Sequence, residues 1–113
     1  MKVRICSLSK NEDFKSILNG NKINNKYSTI FFKKLDHLNS KYLNLSIITK
    51  RKLGNAILRN KIKRILKNIM RDVSKNTKIN CKYAYLIIAK KNVFNDKFED
   101  IKTELFLNFK KIK

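Results

Sequence analysis

The chain has no proline, no tryptophan and only two glycines among its 113 residues. Nothing in it reads as a Pro- or Gly-rich linker or as an internal repeat, and the length suits one domain, 1–113. Cys6 and Cys81 stand far apart and outside any CxxC pair, and His37 is the single histidine. That pattern predicts two reduced thiols rather than a disulfide framework or a zinc site. No apolar run approaches the roughly 20 residues of a membrane span. The opening MKVRICSLSKNEDF has no signal-peptide core and turns acidic early, so a cytoplasmic protein is expected. No P-loop and no nucleophile–base constellation is visible. His37 falls in an expected turn without an evident partner, and Asp96, Glu99 and Asp100 read as charge balance in the first turn of a helix rather than as metal ligands.

Acid is scarcest of all: 8 Asp and Glu face 28 Lys and Arg, for a net charge of +20. A field of that size draws polyanions by steering and counterion release. The charge is concentrated in KRKLGNAILRNKIKRILKNIMR, residues 50–71, which holds Lys50, Arg51, Lys52, Arg59, Lys61, Lys63, Arg64, Lys67 and Arg71 and no acid. The apolar positions between them are Ile, Leu and Met, without the Trp or Phe of a membrane-surface helix. Nucleic acid is therefore the expected partner, and a membrane is not.

Hydrophobic residues make up 42% of the chain, enough for one modest core. Ser9 or Asn11 is placed to cap a short helix reaching Leu18, and Asn19-Gly20-Asn21 ends it. YSTIFFKKL, 27–35, reads as a strand with Tyr27, Thr29, Phe31 and Lys33 on one face and Ser28, Ile30 and Phe32 on the other. YLNLSIIT, 42–49, is a second strand; the basic helix covers 56–73, a polar loop 74–80, and YAYLIIA, 83–89, is a buried strand. A last amphipathic helix over 95–109 puts Phe98, Ile101, Leu105 and Phe109 on one stripe. With an extra short strand near 22–24, this is an α+β chain whose mixed sheet is packed by helices. The unit of second long strand, basic helix and third would ordinarily cross over right-handed.

Placed at 100° per residue, the basic helix separates cleanly. Leu58, Ile62, Ile65, Leu66, Ile69, Met70 and Val73 share one arc; Asn60, Lys61, Lys63, Arg64, Lys67 and Arg71 share the other. Solvated helix faces usually mix charge signs, and here no carboxylate appears before Asp72. Gly54 permits a positive φ and Asn55 is a good N-cap. A helix N-terminus disfavours cations, yet Lys50, Arg51, Lys52 and Arg59 crowd it, so an anion such as phosphate or sulfate is expected there.

Gly54-Asn55-Ala56-Ile57-Leu58-Arg59-Asn60-Lys61-Ile62-Lys63-Arg64 resembles the signature of the bacterial ribonuclease P protein subunit: a basic pair, Gly, an Ala-plus-aliphatic step, Arg-Asn-Arg, then Lys-Arg. Leu8-Ser9-Lys10-Asn11-Glu12-Asp13-Phe14 is similar to the family's N-terminal segment, and Leu86-Ile87-Ile88-Ala89-Lys90 to its fourth strand. The resemblance implies an α-β-β-β-α-β-α sandwich with a four-stranded mixed sheet and a left-handed βαβ crossover. It implies a protein monomer in a 1:1 ribonucleoprotein with a catalytic RNA, and precursor tRNA as substrate. The RNA would carry the active site and use Mg²⁺ to remove the 5′ leader, leaving no catalytic residue to the protein.

By the same resemblance Arg59, Asn60, Lys61, Lys63, Arg64 and Lys67 would face the catalytic RNA, with Lys50, Arg51, Lys52 and Arg71 completing the basic surface. Phe14, Leu18 and Phe31 would line the cleft for the single-stranded leader, where stacking holds any base. Lys61 stands where the family usually has Arg, Lys67 replaces another frequent Arg, and Leu18 occupies a position that is often aromatic. Lys90-Lys91-Asn92 replaces an Arg and a Pro, and the run Lys50-Arg51-Lys52 is one basic residue longer than usual. Without the resemblance, the basic helix would equally suit a ribosomal or other structural RNA-binding protein lacking a leader cleft, and less well a major-groove DNA reader.

Overall fold

The computed structural model describes residues 4–112. Its elements are β1 (Ile5–Cys6), α1 (Asn11–Leu18), β2 (Asn21–Asn24), β3 (Ser28–Lys34), β4 (Leu43–Ile48), α2 (Ala56–Asn76), β5 (Tyr83–Ala89) and α3 (Phe98–Lys111). Single 3₁₀ turns at Arg51–Leu53 and Lys91–Phe94 follow β4 and β5. The strands form one five-stranded sheet in the order β1-β4-β5-β3-β2. β4 and β5 are parallel neighbours joined through α2, which makes the expected βαβ unit. β3 pairs antiparallel with β5 and β2 with β3, so the sheet is mixed.

The expected four strands become five. β1 is only two residues long and exists through parallel pairing of Ile5 with Leu43 and Cys6 with Asn44, a partner no local pattern announces. The short strand expected near 22–24 is β2.

β5 lies at the centre of the sheet with both faces covered, which is why YAYLIIA is apolar throughout rather than alternating. Tyr85 and Ile87 face α2 and α3, where Ile62, Leu66, Ile69 and Met70 meet Ile101, Leu105 and Phe109. Ala84 and Leu86 face the other way and pack with Leu8 and Ile17 under α1. The sheet is thus sandwiched between α1 and the α2–α3 pair. Phe32 enters the α2–α3 side, edge-on to Tyr83 with centroids 5.4 Å apart. Phe31 turns to the α1 side, as strand alternation requires. Tyr27 departs from the expected face: it precedes β3, and its ring joins the α2–α3 core.

Neither Ser9 nor Asn11 caps α1; Lys10 holds the cap position without a side-chain bond. α2 runs one turn past 73, to Asn76, because Val73 and Ser74 are buried and keep the helix on the core. α3 begins at Phe98 rather than 95, because the 3₁₀ turn and Asp96 intervene. Phe98, assigned to the buried stripe, is 37% exposed at that first turn. Both cysteines are free and half-buried, and burial pushes the Cys81 thiol up.

Asp96 is a structural tie rather than a first-turn acid of α3. Its Oδ2 accepts from Tyr27 Oη at 2.5 Å and pairs with Lys26 Nζ at 2.9 Å. The bond from Tyr27, then that from Lys26, holds the Asp96 carboxyl below the ordinary 3.8. A carboxyl depressed in the fold stabilises it above its unfolded value and loses that effect as pH falls through the folded one. An Asp96→Asn variant should therefore melt below the parent at neutral pH. The gap should close as the pH falls below about 4, read as paired melting curves; a gap of constant size would remove this role from Asp96.

Candidate nucleic-acid interface

α2 is built from the sequence outward. Gly54 takes φ 145° and ψ −166°, a region that favours glycine, and turns the chain from the 3₁₀ turn into the helix. Asn55 then caps α2, its side chain accepting from the Leu58 N–H at 2.9 Å. Both roles are those the sequence assigns. Ile62, Leu66, Ile69, Met70 and Val73 are buried, and Leu58 and Ile65 pack beside them. Asn60, Lys61, Lys63, Arg64, Lys67 and Arg71 are exposed on the opposite side. Lys50, Arg51 and Lys52 are exposed in the turn before the helix, whose first turn contains no acid.

The first carboxylate of α2, Asp72, is turned away from this face and meets Lys102 of α3 at 3.5 Å. The cations of the outer face therefore have no counter-charge from their own helix. Arg59, half-buried at the helix start, has its Nε buried without a partner among the described residues. An unmet buried donor costs about 1–3 kcal/mol, a tension located where the anion was expected. Lys61 lies over the Phe94 ring, 5.2 Å from its centroid. The sequence reading missed Phe94, since a 45%-exposed ring in an irregular segment has no periodic signature. It also left Ile57 off both arcs; that side chain is 81% exposed among the cations.

A second surface lies on the α1 side of the sheet. Phe14 and Phe31 are half-buried there and pack on one cluster with Ile48 and Ile88. Pairing puts Phe31 opposite Leu86, and Ile48 opposite Ile88, so the strand faces form one continuous floor. Leu18, at the end of α1, is 44% exposed and outside that cluster. Ile48 and Ile88 were missed because their common face depends on β4–β5 register. His37, expected to be unpartnered, contacts the largely buried Asp13 of α1, Nε2 to Oδ1 2.9 Å, and ties the β3–β4 loop to that helix.

The two basic runs share one end of the sheet. β4 leads into Lys50-Arg51-Lys52 and parallel β5 into Lys90-Lys91. Lys90 is committed inward: its Nζ donates to Asn24 Oδ1 at 2.5 Å and to the Asn25 carbonyl at 2.7 Å. Among the described residues no group of three or more His, Cys, Asp or Glu is placed to hold a metal ion. Nor is any helix long and apolar enough to cross a membrane.

A family model described as Ribonuclease P matches residues 3–113. The ribonuclease P protein component of Fusobacterium nucleatum is 38% identical over 112 residues, covering 95% of this chain and 96% of that relative. The component from Bacillus pumilus is 31% identical over 105 residues, covering 92% and 85%. The solved structure of the Thermotoga maritima RNase P protein aligns with a TM-score of 0.78 at 28% identity, covering 95% of this chain and 97% of that one. That of the Staphylococcus aureus RNase P protein gives 0.75 at 26%, covering 94% and 95%. With its central motif, its sheet order and these likenesses in agreement, the chain belongs to the ribonuclease P protein family.

Proposed function

We propose that this chain binds the catalytic RNA of ribonuclease P along the outer face of α2. On the same reading it holds the 5′ leader of precursor tRNA against the α1 side of its sheet, and the RNA performs the cleavage that matures the tRNA 5′ end. The observation that carries the reading is the division of α2 into a buried apolar face and an outer face of uncompensated cations. Phosphates supply the missing counter-charge, and each one neutralised releases counterions. The leader belongs on the other surface because Phe14 and Phe31 offer aromatic faces to bases of any sequence. On this reading the Mg²⁺ of the reaction is held by the RNA, and the protein supplies cations and aromatic faces instead.

The decisive experiment is stimulation of cleavage. Catalytic RNA at low Mg²⁺ should process leader-bearing precursor tRNA faster when this protein is added; no stimulation would return the chain to the class of structural RNA-binding proteins. Phe14→Ala should then weaken binding of the precursor by about tenfold, the worth of about one stacked base. Binding of mature tRNA, which has no leader, should not change. Equal losses for both would take Phe14 out of the leader surface.

A further inference from the structure

At the far end of the molecule from the basic turn lies a groove of about 1150 Å³. It opens where β4 and β5 begin and where α2 and α3 end. Lys41, Lys75, Lys78, Lys82 and Lys110 line it, and among the described residues no carboxylate does. All five lysines are exposed, and none forms an ion pair among the described residues. Leu43, Ile79, Cys81 and Ile112 form its apolar part.

Helix dipoles explain only some of this. Lys75 and Lys110 lie in the last turns of α2 and α3, where cations are favourable. Lys78 follows the α2 cap directly, but Lys41 and Lys82 lie in loops before β4 and β5 rather than at a helix end, so five like charges are gathered round one hollow. The groove is also continuous with the outer face of α2. Arg64, Lys67, Arg71 and Lys75 follow one another at spacings of three and four residues, a single line leading into it. A 21-residue helix is roughly 30 Å long, so the groove lies about that far from the Asn55 cap.

We propose that the lysine groove is a further binding site for the catalytic RNA: its phosphate backbone runs the whole length of α2 and enters the groove, with sugar or base faces against the apolar part. This rests on the proposed function and extends it, because the anchoring surface then reaches both ends of the helix. A protein that gripped RNA only near Gly54 would leave these lysines unanswered.

The test is a Lys41→Ala/Lys78→Ala/Lys82→Ala variant titrated against the catalytic RNA over a range of salt. About 0.7–0.9 of salt slope belongs to each phosphate contact, so the log–log slope should fall by about 2–3. The melting temperature and the preference for precursor over mature tRNA should stay at the parent's values. The charge-retaining Lys41→Arg/Lys78→Arg/Lys82→Arg variant should keep the parent's slope. An unchanged slope in the alanine variant, while the parent chain still stimulates cleavage, overturns the groove and leaves the proposed function standing. A slope lost in the arginine variant as well would overturn the electrostatic reading. Failure of the parent chain itself to bind the RNA removes both.

Discussion

An Arg64→Ala/Lys67→Ala variant should bind the catalytic RNA roughly 25- to 60-fold more weakly than the parent chain at about 0.1 M salt. Both side chains are exposed, and neither has an ion-pair or hydrogen-bond partner among the described residues. The fold therefore loses nothing by their removal, and the melting temperature should hold or rise slightly as like charges are relieved. Two phosphate contacts account for about 1.4–1.8 of salt slope, which sets the expected loss of affinity. Binding measured across salt concentrations separates this from any change in shape. A slope equal to the parent's would mean that this face is merely solvated.

The design of α2 makes such a variant informative. Its inner face is fixed by Ile62, Leu66 and Ile69, all completely buried, so the outer face can change without moving the helix. Asp72 meets Lys102 rather than the outer cations, so removing Arg64 and Lys67 breaks no ion pair. One helix thus keeps a buried apolar face apart from an exposed cationic one.

That separation is why so much was legible in the sequence. The period of α2 reports burial directly, and Gly54 and Asn55 are turn and cap residues whose roles are local. β5 was delimited at both ends because a strand covered on both faces is an unbroken apolar run. What stayed hidden depends on partners distant in the chain. β1 exists only against β4, His37 meets Asp13 across 24 residues, and Lys90 reaches back 66 residues to Asn24. The proposed leader surface was half-visible for the same reason: Phe14 and Phe31 stand out by type, whereas Ile48 and Ile88 join them only through strand register. The lysine groove is assembled from two loops and two helix ends, and no window of sequence contains it.

Replacing Gly54 with alanine should lower the melting temperature by about 4–12 °C, the equivalent of about 1–3 kcal/mol in a domain of this size. Two causes have to be told apart. At φ 145° an L-residue is strained whatever space surrounds it. In addition, an added Cβ would lie 2.5 Å from Leu58 Cδ2. Leu58 is flexible at that end and half-buried, so it can turn aside, whereas the backbone cannot relax without moving the turn. A Leu58→Ala change added to Gly54→Ala should therefore recover little stability; full recovery would show that crowding, not φ, was the cause. Relieving the strain by moving the turn would draw Asn55 off the Leu58 N–H and displace Lys50, Arg51 and Lys52 from the helix start. Gly54→Ala should accordingly weaken binding of the catalytic RNA even at temperatures where it is fully folded. Asn55→Ala, which removes the cap but leaves φ at Gly54 free, should cost only about 1 kcal/mol and less of the affinity. If the two variants lost affinity equally, the cap rather than the glycine turn would be what positions the basic run.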